Sequence, residues 1–381
     1  MPIDEHDLRQ LRRALELAHT AIGRSDPNPR VGCVLADAAG QRVGEGATQR
    51  AGEAHAEVMA LRAAQAAGAS LRAGTAWVSL EPCSHHGRTP PCTDALIAAG
   101  VSRVVVATTD PNPLVAGDGM RRLRAAGVAV DLASGQVTRD ARELNIGFFS
   151  RMQRGTPWVR CKVAASLDGR TALDNGRSQW ITGEASRTDG HAWRRRAAAI
   201  ASGAGTIVAD NPRLDVRLVA TEVQPLRVVI DSGLRAPPHS RVFDPPGAAL
   251  VYCARAEPDA AASLRQRHVE VVELPGADGT VDLGAALKDL GTRGVNELHV
   301  EAGARLTGAL LGADLVDELL VYLAPKLIGP GRGMIQVAPL DELAQAWPLR
   351  FEAAQVLGGD VRIVARRPHA LRWLDGQPTP G

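Results

Sequence analysis

Aromatic residues are scarce in this chain, with two Tyr, four Phe and six Trp among 381 residues. Proteins that hold single-stranded nucleic acid stack bases on such rings and line the groove with positive charge. The formal net charge here is only +2, so the composition speaks against a nucleic-acid partner. Lysine is nearly missing as well: it occurs only as Lys162, Lys288 and Lys326, and arginine carries the other basic charge. Long hydrophobic runs are absent. No stretch reaches the roughly eighteen apolar residues of a membrane span. The start, Met1-Pro2-Ile3-Asp4-Glu5, is acidic and leads into no apolar run, so neither a span nor a signal peptide is expected. Cys33, Cys83, Cys92, Cys161 and Cys253 form an odd set without the spacing of a disulfide framework, which points to a reducing, cytoplasmic compartment.

What the chain does have is metal chemistry concentrated in its first hundred positions. His55-Ala56-Glu57 is followed by Pro82-Cys83 and Pro91-Cys92. One imidazole and two thiolates give Zn²⁺ three ligands and leave a fourth position open to water, while a nearby glutamate that is not a ligand moves protons. His55, Cys83 and Cys92 are therefore the expected metal ligands and Glu57 the expected catalytic residue of a zinc deaminase. The usual Cys-x-x-Cys spacing is replaced by eight residues, Ser84 to Pro91. In that loop His85, His86 and Arg88 could contact a base or a phosphate, or form a solvated polar loop.

The length suits two domains. An amphipathic helix is expected from Leu8 to Ile22 with Asp7 as a cap, then a loop through Asp26-Pro27-Asn28-Pro29 and a hairpin of 31–36 with 43–47. Three helical stretches end in Ala-Ala-Gly at Gly68, Gly100 and Gly127, each followed by an apolar strand, the grammar of an α/β sheet. On that frame His55 with Glu57, and Cys92, open helices whose positive ends favour thiolate. The boundary is expected near residue 152, giving domains 1–151 and 152–366, with a poorly ordered tail, 367–381.

Beyond the boundary, a strand carrying Lys162, a helix from about Glu184 to Arg196 and five further strands predict a second α/β domain. Gly203-Ala204-Gly205-Thr206 begins like a dinucleotide fingerprint but has Val208 where the third glycine belongs. Gly303 to Gly308 follows a strand and opens a helix, which suits a phosphate at a helix N-terminus or a simple tight turn.

Asp26-Pro27-Asn28-Pro29-Arg30-Val31-Gly32, His55-Ala56-Glu57, Glu81 to Cys92 and Asp110-Pro111-Asn112-Pro113 in the first half resemble the bifunctional riboflavin-biosynthesis deaminase/reductases. In the second half Lys162 to Arg170, Ser178 to Thr182, Gly205 to Pro212 and Val300 to Gly303 do the same. The resemblance covers residues 8–365. It implies a cytidine-deaminase-like α/β/α sandwich followed by a dihydrofolate-reductase-like α/β domain, with Zn²⁺ and NADPH as cofactors. It also implies a small phosphorylated pyrimidine as substrate, no membrane or nucleic-acid partner, and a homo-oligomer, dimer or tetramer. By the same resemblance Asn28, His85, Arg88, Asp110 and Asn112 would line the deaminase pocket, and Thr48 stands where the family often has a histidine. Ala164, Trp180, Thr206, Asp210, Ser232 and the loop from Gly303 would contact NADPH, and Ser178, Arg194, Leu214, Arg217 and Glu301 the reductase substrate, while Lys162 is expected to hold its sugar hydroxyls or polarise the reacting carbon. The competing expectation is a nucleic-acid or nucleoside zinc deaminase whose C-terminal half is a binding module.

Overall fold

The structure, a computed structural model, describes residues 2–85, 90–113, 115–372 and 374. The chain forms two units, one of residues up to Gly155 joined by Leu374, the other running from Thr156 to Arg372.

The first unit opens with helix α1 (Glu5–His19). Its cap is Asp4 and not Asp7: the Asp4 carboxylate accepts the Asp7 N–H at 2.8 Å and the Asp7 carboxylate accepts the Asp4 N–H at 3.3 Å, a reciprocal box. This frees Asp7 to turn inward. Strands β1 (Gly32–Ala36) and β2 (Arg42–Ala47) make the expected hairpin. Helix α2 (Ala56–Ala66), β3 (Thr75–Val78), α3 (Cys92–Ala98), β4 (Arg103–Val106), α4 (Asp118–Ala125) and β5 (Ala129–Leu132) follow in alternation. Gly68, Gly100 and Gly127 have φ of 66°, 78° and 81°, the left-handed stop that lets each helix turn into the next strand. The sheet order is β2-β1-β3-β4-β5, with β3, β4 and β5 parallel. Helices α5 (Gln136–Leu144) and α6 (Ile146–Arg154) complete the unit. Because α6 continues to Arg154 and ends on Gly155, at φ 72°, the division falls after the expected 151/152. Leu11, Ala14 and Ala18 of α1 pack with Val34, Trp77, Val105 and Leu144 in one apolar core.

The second unit contains β6 (Trp158–Ser166), β7 (Arg170–Leu173), α7 (Glu184–Arg196), β8 (Ala199–Gly203), α8 (Ala204–Asp210) and β9 (Leu226–Ile230). After these come β10 (Ala249–Cys253), α9 (Pro258–Arg265), β11 (Glu270–Glu273), α10 (Leu283–Thr292), β12 (Glu297–Val300), α11 (Ala304–Gly312), β13 (Glu318–Ala324), β14 (Gly331–Gly333), β15 (Arg350–Leu357) and β16 (Asp360–Arg366). Nine strands form one sheet in the order β11-β10-β9-β8-β12-β6-β13-β16-β15, parallel as far as β13 and antiparallel beyond it. Separate apolar clusters, one around Val228, Leu298 and Leu310 and one around Ile200, Val229 and Phe243, supply its core. Near-continuous burial along β8, β10 and β12 is what a covered parallel sheet requires.

Of the expected tail, 367–381, residues 367–372 and 374 are described. Pro368–Leu371 forms a 3-10 turn with Ala370 and Leu371 buried, and buried Leu374 accepts a hydrogen bond at its carbonyl from Arg142. Three small or apolar side chains supply burial that the neighbouring prolines and glycines obscure. Among the described residues no helix is long and apolar enough to cross a membrane.

Candidate active sites

The first site is assembled by close backbone packing. A Cβ at Gly44 would collide with the Ala60 carbonyl of α2, and one at Gly46 with Ala56 and Ala60. Both glycines therefore let α2 lie directly on β2. That packing fixes the N-terminus of α2, with His55 as its cap residue and Glu57 in its first turn. Cys83 follows β3, and Cys92 is the first residue of α3 after Pro91. Loops at the carboxyl ends of parallel strands are where open α/β sheets bind ligands.

His55 Nδ1 lies 3.6 Å from Cys83 Sγ and 3.3 Å from Cys92 Sγ, and the three ligand atoms fall within 4.8 Å of one another. A tetrahedral zinc with ordinary Zn–N and Zn–S bonds has edges of about 3.6–3.8 Å, so this donor set fits the ion. The Cys92 N–H donates to Cys83 Sγ at 3.3 Å. Hydrogen bonds from the Cys92 thiol and from His55 bring the Cys83 thiol down, while Cys92, donating to that sulfur in a buried place, is pushed up. A metal ion needs both sulfurs as thiolates, so its binding displaces the proton they hold between them. Glu57 is buried, and burial, reinforced by the charge of Cys83, raises its carboxyl to about 7. A carboxyl near neutrality can take a proton and return it.

Around this centre Asp110 is buried, its carboxyl lifted to about 7 mainly by burial, and its Oδ1 accepts the Asn112 N–H at 2.8 Å. Asn28 is half-buried. Its loop is held by Asn145, whose side chain accepts the Arg30 N–H at 2.7 Å and donates to the Arg30 carbonyl at 2.9 Å. Thr48 is buried and engages Val31 through Oγ1 and its own N–H. His85 is exposed. Arg88, like His86, lies outside the described residues.

In the second unit three expected residues converge. Glu301, just past β12, accepts from Arg194 of α7 through both oxygens, Nε to Oε1 at 2.5 Å and Nη2 to Oε2 at 2.9 Å, and Lys162 Nζ of β6 stands 3.8 Å from Oε2. Burial alone would raise this carboxyl, but the charges of Arg194 and Lys162 outweigh it and hold Glu301 well below the usual range. Asp215 pairs with Arg217 at 2.6 Å and Arg213 at 2.9 Å, and its carbonyl accepts from Arg194. His191 Nδ1 accepts the Arg217 N–H at 3.2 Å. Burial, with Arg194 and Arg217 nearby, brings His191 down to about 4, so it stands there as a neutral acceptor.

Gly303 caps α11, and a Cβ there would sit 3.8 Å from Thr206 Oγ1, so the small-residue turns after β8 and β12 adjoin. Two such turns at helix starts suit a phosphate-bearing cofactor. Ser232 Oγ accepts the Val281 N–H, Trp180 is exposed with Arg187 stacked 4.7 Å from its ring centre, and Asp210 is exposed at the end of α8. Ala164 packs beside Tyr322, and Ser178 is half-buried. Leu214 points into the apolar core with Ile207 and Phe243, which leaves only its backbone to face a ligand. Asn145, His191 and Asp215 escaped the sequence reading; each acts through bonds to partners in other elements, which no local motif marks.

Residues 4–108 match the cytidine and deoxycytidylate deaminase zinc-binding region, and residues 157–363 the RibD C-terminal domain. A riboflavin biosynthesis protein RibD of Escherichia coli is 45% identical over 364 residues, 92% of this chain and 96% of its own. The chain belongs to the RibD family. The RibD of Aquifex aeolicus is 39% identical over 96% of this chain and 99% of its own. Among solved structures, the RibD of Acinetobacter baumannii superposes with a TM-score of 0.85 at 38% identity, covering 95% of this chain and 99% of that one. The diaminohydroxyphosphoribosylaminopyrimidine deaminase/5-amino-6-(5-phosphoribosylamino)uracil reductase of Thermotoga maritima also reaches 0.85, at 31% identity, with 95% and 100% covered. As a RibD, the chain is a bifunctional enzyme of riboflavin biosynthesis, a zinc-dependent deaminase followed by an NADPH-dependent reductase. The RibD C-terminal match displaces the alternative of a nucleic-acid-binding module in the second half.

Proposed function

We propose that the first site deaminates diaminohydroxyphosphoribosylaminopyrimidine and that the second reduces 5-amino-6-(5-phosphoribosylamino)uracil, the reactions named for the Thermotoga relative. The observation that carries the reading is the His55, Cys83 and Cys92 cluster at tetrahedral spacing beside a buried Glu57. Zinc, when held by those three residues, supplies the acidity that makes a water a nucleophile at neutral pH. Glu57 takes the proton of the attacking water and delivers it to the departing amino nitrogen, which leaves as ammonia. Asn28, Asp110 and Asn112 hold the pyrimidine and ribose, and His85 and Arg88 the phosphate.

NADPH supplies hydride to the anomeric carbon of the opened ribose. Ala164, Trp180, Thr206, Asp210, Ser232 and the turn at Gly303 hold the cofactor. Lys162 reaches the sugar hydroxyls or the reacting carbon, and Glu301 holds Lys162 and Arg194 in place. Arg194 and Arg217 meet the substrate phosphate, with Ser178 and the Leu214 backbone beside them. The free thiols, two of them in the zinc set, suit a reducing cytoplasm. The exposed Phe351 and Val356 on edge strand β15 support a homo-oligomer, dimer or tetramer.

The test is direct. Zinc-loaded protein given the phosphoribosylaminopyrimidine and NADPH should release ammonia and oxidise NADPH in equal amounts, and should release none from single-stranded DNA or RNA. Ammonia from a polynucleotide, or NADPH consumption without substrate turnover, contradicts the reading.

A further inference from the structure

Glu81 lies two residues before Cys83, just past β3, and is 3% exposed. Its Oε2 accepts the backbone N–H of Asp110 at 3.2 Å and of Gly117 at 3.0 Å, and its Oε1 accepts that of Met120 at 3.1 Å. Gly117 is the cap residue of α4 and Met120 belongs to its first turn. The carboxylate therefore satisfies donors that a helix start leaves open and meets the positive end of the helix. At Gly119 a Cβ would collide with the Pro82 carbonyl, so the start of α4 rests directly on the backbone next to Cys83. The segment running into α4 carries Asp110 and Asn112.

We propose that Glu81 is a positioning residue for deamination. It is outside the zinc set; it fastens the segment bearing Asp110 and Asn112 to the backbone that presents Cys83, and so sets the distance between the metal and the groups that hold the pyrimidine. The inference rests on the assignment of Asp110 and Asn112 to substrate made above. Three N–H donors need acceptors on both carboxylate oxygens. A glutamine of the same shape offers one acceptor and turns an NH₂ toward the donors, so at least one bond is lost.

The experiment compares Glu81→Gln and Asn112→Ala in the full chain, reading zinc content and the kcat and KM of ammonia release. Glu81→Gln should keep wild-type zinc content and raise KM by about tenfold, the low end for an outer-shell partner, with a smaller change in kcat. Glu81→Asp, which keeps both acceptor oxygens, should recover part of the loss. Wild-type KM in Glu81→Gln beside a raised KM in Asn112→Ala overturns the inference and leaves the substrate assignment standing. Unchanged KM in both overturns the assignment and the inference with it. Loss of zinc together with activity in Glu81→Gln assigns the residue to the metal loop alone and also overturns the inference. Should Glu81→Gln not fold, Glu81→Asp decides: a raised KM with zinc retained supports the positioning role, and a wild-type KM overturns it.

Discussion

Arg194 and Glu301 face each other fork to fork, Nε to Oε1 at 2.5 Å and Nη2 to Oε2 at 2.9 Å, across the joint between α7 and the end of β12. Lysine cannot reproduce that geometry, because an ammonium is a point charge on a flexible stem. Arg194→Lys should therefore lower the reductase kcat/KM by about 10–100-fold, the equivalent of one charge-assisted hydrogen bond. Steady-state NADPH oxidation checks this, and ammonia release on the same preparation should be unchanged.

A second prediction concerns acid stability. Asp7 accepts from Arg103 through both oxygens at 2.8 Å and from Trp77 Nε1 at 2.8 Å. Burial alone would raise its pKa, but these bonds outweigh burial and hold it below the usual range. A depressed carboxyl gives stability that is complete above its unfolded value, near 4, and is lost as pH falls through the lower folded value. Asp7→Asn should thus cost about 2 kcal/mol at pH 7, a drop of roughly 5 °C in Tm. The gap between variant and wild type should close as pH falls below about 4. Thermal melts across pH follow it; a gap that widens in acid contradicts the assignment.

A third follows from Gly46. Alanine there must push the start of α2 away from β2, since its Cβ meets the Ala56 carbonyl and the Ala60 N–H group. Overpacking of this kind costs about 1–3 kcal/mol, and here it also shifts His55. Gly46→Ala should purify with less than full zinc and melt earlier. Full zinc with a wild-type melt would show that α2 has room to spare.

Zinc removal should separate the two activities. A strong chelator should abolish ammonia release while NADPH oxidation on the already deaminated uracil continues at its former rate. Parallel loss of both would mean that the second site depends on the metal.

The metal set was legible because its chemistry sits in short local signatures. His55 and Cys92 stand at helix starts and Cys83 follows a strand, so composition and punctuation point to the cluster that the structure brings together. Other parts depend on distance along the chain. Asn145 and Arg30 are 115 positions apart, and nothing near either marks the bond. Asp7 reads as the cap of α1, yet Asp4 holds that place, and Asp7 bonds Trp77 and Arg103, 70 and 96 positions away. Strand β8, Ala199–Gly203, is built of small residues with one Ile, so it lacks the β-branched run that reveals a strand, and its burial comes from neighbouring strands. Most of β15 is exposed, which removes the alternation that would have betrayed it.

In the proposed function Glu57 moves the proton in deamination while a separate site performs the reduction. Glu57→Gln tests it on one preparation, read for zinc content, ammonia release and NADPH oxidation. The variant should keep its zinc, release no ammonia from the phosphoribosylaminopyrimidine, and oxidise NADPH normally on the deaminated substrate. Ammonia release at the wild-type rate would contradict the account.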